Sequence, residues 1–390
     1  MKIALIHDFL IRFGGAERVL LELARMFPEA PIYTLLYDKE KMSQWFEPER
    51  VKVSFLQKFP RFLRRNHKLL LPLMIVAPET FDLRDFDLVI SSSSAYAKGV
   101  ITRPKTIHIN YCHNPARFIW DYSFEYLKEQ ELGLISGAIS RIFFSYFRLW
   151  DRSASKRVDY FIANSQSTAR RIRKYYRRDS RIIFPPCRIP QNGFNVCEKN
   201  LQDMGAVLPN DFFLIISQLA PYKKIDAAVE AFNKLGLPLI VIGDGPQKKY
   251  LQKIAKSNVK IMGWLDDKET FQYLRGCQAL IFSGEDDFGI APVEAMGFGK
   301  PVLALNRGGA LETVIPGKTG EFFDSPTPEV IAEGVRRLRE NMPEYDPMEI
   351  HNHVKQFSAE RFREEIKQFI GEKYRLAEQE NNAQNHCDSV

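Results

Sequence analysis

Short apolar runs alternate with helix-period segments along almost the whole chain, and this alternation limits the fold more than any other feature. Runs at 3–6, 32–36, 51–55, 88–92, 106–111, 160–163 and 182–184 read as strands, with amphipathic helices at 16–26 and 141–157. The rhythm stops between 185 and 211, where Pro185-Pro186 and Asn192-Gly193 punctuate a stretch without periodicity, as expected of a linker. It then resumes, with strands expected at 213–217, 239–242, 259–262, 279–282, 302–305 and 321–323, and helices at 225–235, 247–256, 267–275 and 329–340. Two more helices, 347–357 and 359–378, follow with no strand after them. A doubly wound parallel α/β sheet occurring twice is the expected architecture. A chain of 390 residues is long for one core and comfortable for two.

Charge is unevenly spread. The net value is +7 and the excess clusters at 58–68 (KFPRFLRRNHK) and 170–181 (RRIRKYYRRDSR). The first cluster runs into LLLPLMIVAP, so segment 58–78 is expected to meet anionic lipid headgroups at a membrane surface. The second reads equally well as a solvated helix face. No recognition motif accompanies the charge, so nucleic acid is not an expected partner. No apolar run reaches the length of a bilayer span, and no signal peptide is apparent. Five scattered cysteines without a Cys-x-x-Cys pair fit a reducing cytoplasm better than a disulfide framework or a zinc site. His351 and His353 read as surface residues.

Chemistry concentrates in 283–309. Asp286 and Glu294, with seven residues between them, flank Phe288-Gly289-Ile290, and Glu294 opens a short helix-forming run. A helix start offers free N–H groups and a positive dipole end to an anion, and Gly289 lets a diphosphate approach the backbone. Carboxylates beside such a site make sense if they hold sugar hydroxyls. The pattern therefore points to a sugar nucleotide, with one carboxylate for the ribose and the other for the hexose.

With Gly299-Lys300-Pro301-Val302 behind it, this stretch resembles the donor-site signature of family 4 glycosyltransferases, although Asp286 stands where glutamate is usual. The resemblance implies a retaining, metal-independent enzyme of the GT-B fold, in which two Rossmann-like domains face across a cleft and the C-terminal helix crosses back to the first domain. The expected domains are 1–190 on the acceptor side, 205–357 for the nucleotide sugar, a returning helix at 358–378 and a disordered tail at 379–390.

Further motifs support the resemblance in order. Ser217 to Asp226 is similar to the family's Arg-x-x-Pro-x-Lys segment: Lys223 matches the lysine that stabilises the diphosphate, while the neutral Gln218 replaces the arginine. Gly243, in Ile242-Gly243-Asp244-Gly245-Pro246, matches a turn near the donor. Gly14 and Gly15 lie in a loop implied to face the cleft, and adjacent glycines are not the Gly-x-Gly-x-x-Gly of a dehydrogenase. His113, just past a strand end, is placed by the resemblance near the transferred sugar, able to donate a hydrogen bond to a hydroxyl, and Arg117 is assigned to acceptor or donor phosphate. The candidate catalytic residues are thus His113, Asp286 and Lys223. Gln218, Lys223, Asp286, Phe288, Gly289, Ile290, Glu294 and Gly243 are the expected donor contacts. Asp85-Phe86-Asp87 spells a metal-binding Asp-x-Asp but precedes its strand, so no metal or cofactor is expected.

The spelling YCHNPARFIWDY, after DLVISSSSAYAKGV, looks like bacterial mannosyltransferases of surface polysaccharide assembly. GDP-mannose is the expected donor and a polyprenyl-diphosphate-linked glycan the expected acceptor, at the inner face of the cytoplasmic membrane. A sugar-nucleotide epimerase of the same fold and an inactive sugar-nucleotide-binding homologue, the latter because of Gln218, are the alternatives.

Overall fold

Apolar strands with no polar face need cover on both sides, and that requirement generates the layering seen here. The computed structural model describes residues 1–65, 70–124, 134–190 and 211–387. It divides into one unit made of Met1–Pro186 with Ala359–Val390, and another made of Cys187–Ser358. The linker expected at 185–211 falls mostly on 191–210, outside the described residues.

The first unit holds strands β1 (Ile3–Leu10), β2 (Ile32–Tyr37), β3 (Val51–Val53), β4 (Leu88–Ser93), β5 (Ile107–Cys112), β6 (Tyr160–Ala163) and β7 (Ser180–Ile182). Their order is β3-β2-β1-β4-β5-β6-β7, with every described pairing parallel. On one face the helix Gly15–Met26 brings Val19, Leu20 and Leu23 into a core shared with Phe362, Ile366, Phe369 and Ile370. Those four recur at i, i+4, i+7 and i+8 along the last helix, Ala359–Cys387, which therefore packs as part of this unit. Each such side chain contributes about 1.5–3 kcal/mol by leaving water. On the other face Phe144 and Phe147, from the helix Leu134–Lys156, pack with Leu36, Met74 and Ile119.

That second face also encloses charge. Lys98 and Asp151 are fully buried and approach to 2.5 Å. The ammonium donates its hydrogen bond to the Ala95 carbonyl, while Trp120 Nε1 donates to Asp151 Oδ2 at 2.8 Å. Asp151 thereby joins the helix to the loop after β4 and to the loop after β5.

The second unit holds β8 (Phe213–Ile216), β9 (Leu239–Ile242), β10 (Val259–Gly263), β11 (Leu280–Phe282), β12 (Val302–Leu305) and β13 (Gly320–Phe323). They form one sheet in the order β10-β9-β8-β11-β12-β13, again parallel throughout. Helices Ile225–Leu235, Lys248–Ile254 and Asp267–Gly276 connect the first four strands, and Pro328–Glu340 follows the last one. The third starts with a reciprocal cap between Asp266 and Glu269. In both sheets strand order reverses beside the first strand, between β1 and β4 and between β8 and β11. The carboxyl ends of strands at such a reversal are where open α/β sheets bind ligands.

Several expectations need correction. The last helix continues to Cys387, through most of the tail expected to be disordered; its polar sequence contains no proline, and no glycine after Gly371, to end it. His351 is buried and its Nδ1 lies 2.7 Å from the Gly297 carbonyl, so it is a packing residue, not a surface one. His353 is also engaged, at 2.8 Å from the Thr313 carbonyl. Within 170–181, Arg171 pairs with Asp121 and Arg178 donates to the Ser155 and Asp159 carbonyls. Those two arginines hold loops together, which leaves less of that cluster for a ligand. Segment 58–78 holds two short helices, Arg61–Arg65 and Leu71–Met74, which expose Phe62 and Leu73, and Val76 is exposed just after the second; its residues 66–69 lie outside the described ones.

Candidate functional site

In the second unit three loops converge past β8, β11 and β12. Lys223 ends a 3-10 turn, Pro221–Lys223, that follows β8, and it is buried. The loop after β11 packs directly on that turn: Ser283 Oγ donates to the Lys223 carbonyl at 2.9 Å, and a Cβ on Gly284 would lie 2.6 Å from Lys223 Cα. Beyond β12, Gly309 donates its N–H to the Asp286 carbonyl at 2.8 Å and lies so close to Phe288 that a Cβ would fall 2.2 Å from its Cα. Glycines at 284 and 309 thus let the loops stack backbone to backbone, and the stack holds Asp286 against Lys223. The two side chains form an ion pair. Burial disfavours the ammonium, yet the Asp286 carboxylate, together with Tyr222 and Asp287, outweighs it and the lysine pKa is raised. Lys223 is therefore cationic, buried and aimed beside a carboxylate that stays partly exposed.

Immediately after Asp286 the chain turns at Gly289, with φ +85°, into the helix Ile290–Gly297. The N-cap residue, Gly289, has no side chain to offer that helix start, so its first N–H groups have neither an intrahelical nor an N-cap partner. Phe288 offers only its backbone, because its ring is buried against Phe357. Gly243, at φ +144°, belongs to the wall: a Cβ there would meet the Ser217 carbonyl oxygen at 1.8 Å. Gln218 is half-buried in the same loop, and its carbonyl accepts from Ala220 N–H at 2.9 Å.

Glu294 differs from expectation. The helix starts at Ile290, so Glu294 sits one turn inside it rather than at its opening, and is buried. Its Oε1 accepts from Arg188 Nε at 2.8 Å, and Arg188 also pairs with Asp267 and lies over the Phe271 ring at 4.5 Å. Arg188 escaped sequence reading because it lies in the aperiodic stretch, far in sequence from both of its carboxylates. Its guanidinium offsets the charge of the buried Glu294 carboxylate.

The first unit gathers a different set at the carboxyl ends of β1, β4 and β5. Asp8 is buried and accepts four backbone N–H bonds, from Ser94, Ala95, Tyr96 and Ala97, at 2.6–2.9 Å. It shapes the loop that follows β4, the strand that carries Ser92. His113 lies just past β5, partly exposed, with Nε2 2.8 Å from Ser92 Oγ. Burial, with His7 nearby, lowers its pKa to about 3, so it is neutral at pH 7. Gly14 precedes and Gly15 begins the helix Gly15–Met26; a side chain at Gly14 would crowd only Glu17. Arg117 is engaged with Asp121 and lies over Tyr122. Asp87 of Asp85-Phe86-Asp87 accepts from Lys2 N–H, a structural task. Among the described residues there is no cluster of three or more His, Cys, Asp or Glu able to hold a metal, and no helix long and apolar enough to cross a membrane.

Comparison with known proteins matches this division. Residues 13–187 match the family described as Glycosyltransferase Family 4, and residues 198–352 that of Glycosyl transferases group 1. The chain is 23% identical over 396 residues to alpha-1,3/1,6-mannosyltransferase ALG2 of Dictyostelium discoideum, covering 87% of this chain and 89% of that one. It is 23% identical over 155 residues to O-antigen chain mannosyltransferase C of Escherichia coli, covering 38% and 40%. Among solved structures, that of Anabaena Alr3699/HepE in complex with UDP superposes with a TM-score of 0.69 at 18% identity, over 95% of this chain and all of that one. The fold is therefore GT-B.

Proposed function

We propose that this chain, which belongs to the glycosyltransferases through the matches of both its halves, moves mannose from GDP-mannose to a lipid-linked glycan with retention at the anomeric carbon. The observation that carries the reading is the juxtaposition of Lys223, Asp286 and the uncapped helix start at Ile290 beyond β8 and β11. A donor diphosphate takes the place of Asp286 beside Lys223 and accepts from the free N–H groups. Asp286, released, turns its carboxylate to the hexose hydroxyls, with the Phe288-Gly289-Ile290 backbone beside it. Glu294, steadied by Arg188, takes the ribose. In the transfer step the bond from C1 to the diphosphate oxygen breaks as the acceptor oxygen bonds C1 on the same face. The acceptor's proton passes to the departing diphosphate, whose growing charge Lys223 offsets. No metal or cofactor enters this scheme.

Mannose is supported by the names of two relatives, a eukaryotic mannosyltransferase and a bacterial O-antigen one. The polyprenyl-diphosphate acceptor and a place at the inner membrane face are supported by segment 58–78, where Phe62 is 63% exposed between Arg61 and Arg64. The test is a transfer assay on vesicles carrying a lipid-linked glycan, run with GDP-mannose, UDP-glucose and ADP-glucose. Mannose incorporation from GDP-mannose alone is the expected result. Binding of GDP-mannose without transfer would establish the inactive alternative created by Gln218, and epimerised sugar nucleotide without acceptor would establish the epimerase.

Glu294→Ala is expected to weaken donor binding about tenfold, the worth of hydrogen bonds from ribose hydroxyls to a charged acceptor. Arg188 keeps Asp267 as its partner, so the fold survives. Titration with the donor nucleotide checks this, and an unchanged Kd would remove Glu294 from the site.

A further inference from the structure

We infer that Glu17, His7 and Ser92 form a hydrogen-bond relay that fixes which ring nitrogen of His113 carries the proton, making His113 an acceptor for a sugar hydroxyl. The assignment of the proton stands alone; the sugar contact rests on the glycosyl-transfer reading above.

The relay is continuous. Glu17 Oε1 lies 3.4 Å from His7 Nε2, His7 Nδ1 lies 3.1 Å from Ser92 Oγ, and Ser92 Oγ lies 2.8 Å from His113 Nε2. His7 and Ser92 are buried, so water does not compete along the middle of the chain. A carboxylate only accepts, so His7 must present Nε2–H to Glu17. A neutral imidazole then has Nδ1 as its acceptor, and Ser92 gives its single hydroxyl proton to that nitrogen. Having spent its proton, Ser92 Oγ accepts from His113, whose Nε2 therefore carries hydrogen. Nδ1 of His113 is left with its lone pair, and among the described residues no hydrogen bond reaches it. The ring is also held through its backbone: His113 N–H donates to the Ser93 carbonyl at 2.9 Å, and Thr168 Oγ1 donates to the His113 carbonyl at 3.2 Å. Its low pKa keeps it from donating as imidazolium.

This reverses the expectation that His113 donates. An acceptor nitrogen at the ring's remaining position favours a substrate group that can give a proton, such as a hydroxyl, over a deoxy carbon. Glu17, which makes no contact with His113 itself, becomes a positioning residue for it.

The test is nitrogen-15 NMR of the histidine rings in the full chain, at a pH of about 8, above the ordinary histidine range. The His113 signals are assigned by their loss in His113→Asn. The expected wild-type spectrum shows His113 protonated on Nε2 and bare on Nδ1. Protonation on Nδ1 would overturn the inference without any variant. Ser92→Ala and Glu17→Ala are each expected to give a mixture of the two forms, and a spectrum unchanged in both would show that the relay does not set the proton. In transfer assays Ser92→Ala is expected to lose about tenfold in kcat with donor Kd within about twofold, the worth of one oriented hydrogen bond in the transition state. If the spectra behave as stated while His113→Asn transfers sugar normally, the relay stands and the sugar contact falls.

Discussion

Lys223→Ala is expected to lower kcat/KM by about 10²–10³ with little loss of folded protein. The effect is large because Lys223 is a buried cation whose charge is already in place before substrate arrives, held there by Asp286. A preorganised charge needs no reorientation as the leaving diphosphate becomes more negative, whereas a flexible surface lysine would. Gln218 supplies a dipole where a second cation is usual in proteins of this type, and Lys224, next to Lys223, is exposed, so Lys223 is the buried charge of that segment. The variant leaves Asp286 without its partner, but that carboxylate is partly exposed and water replaces the lysine. Single-turnover transfer, compared with donor Kd, separates the chemical step from binding. A loss confined to Kd would mean that Lys223 grips substrate and leaving group equally.

Asp151→Ala is expected to destabilise the first unit by about 3–5 kcal/mol, the cost of leaving a buried charge without its partner. Lys98 is as buried as Asp151, and its other described partners are the Ala95 carbonyl and the faces of Trp150 and Tyr176, so it cannot turn outward to water. The same change strips Trp120 Nε1 of its acceptor. Thermal unfolding should show a fall of roughly 10 °C for a unit of this size. The double variant Lys98→Met, Asp151→Leu should regain much of the loss, because it removes both charges and fills the space. A single variant as stable as the parent would show that the ammonium reaches solvent by local opening.

The sheets were legible because parallel strands buried on both faces must be nearly continuous apolar runs, and β8, β9 and β12 are such runs. Lys223 and Asp286 were legible because each lies just beyond a strand that borders the strand-order reversal. What escaped was long-range pairing. Arg188 meets Glu294 across 106 positions and His7 meets Ser92 across 85, and no local period encodes either contact. His351 was misread because two histidines at i and i+2 suggest a wet helix face, while its neighbours Ile350 and Val354 are buried and draw it inward. The end of the last helix was misread because a polar sequence was equated with disorder, although nothing in it breaks a helix.

The last helix has a consequence for how the protein is made. A ribosome translates the Cys187–Ser358 unit whole before it adds Phe362, Ile366 and Phe369, yet the earlier half of the chain needs those three side chains to close its core. The half synthesised first is therefore the one completed last. Throughout elongation it carries an open apolar groove along Val19 and Leu23, a natural substrate for chaperones. A nonsense codon placed after Ser358 would yield one finished lobe and one that never seals.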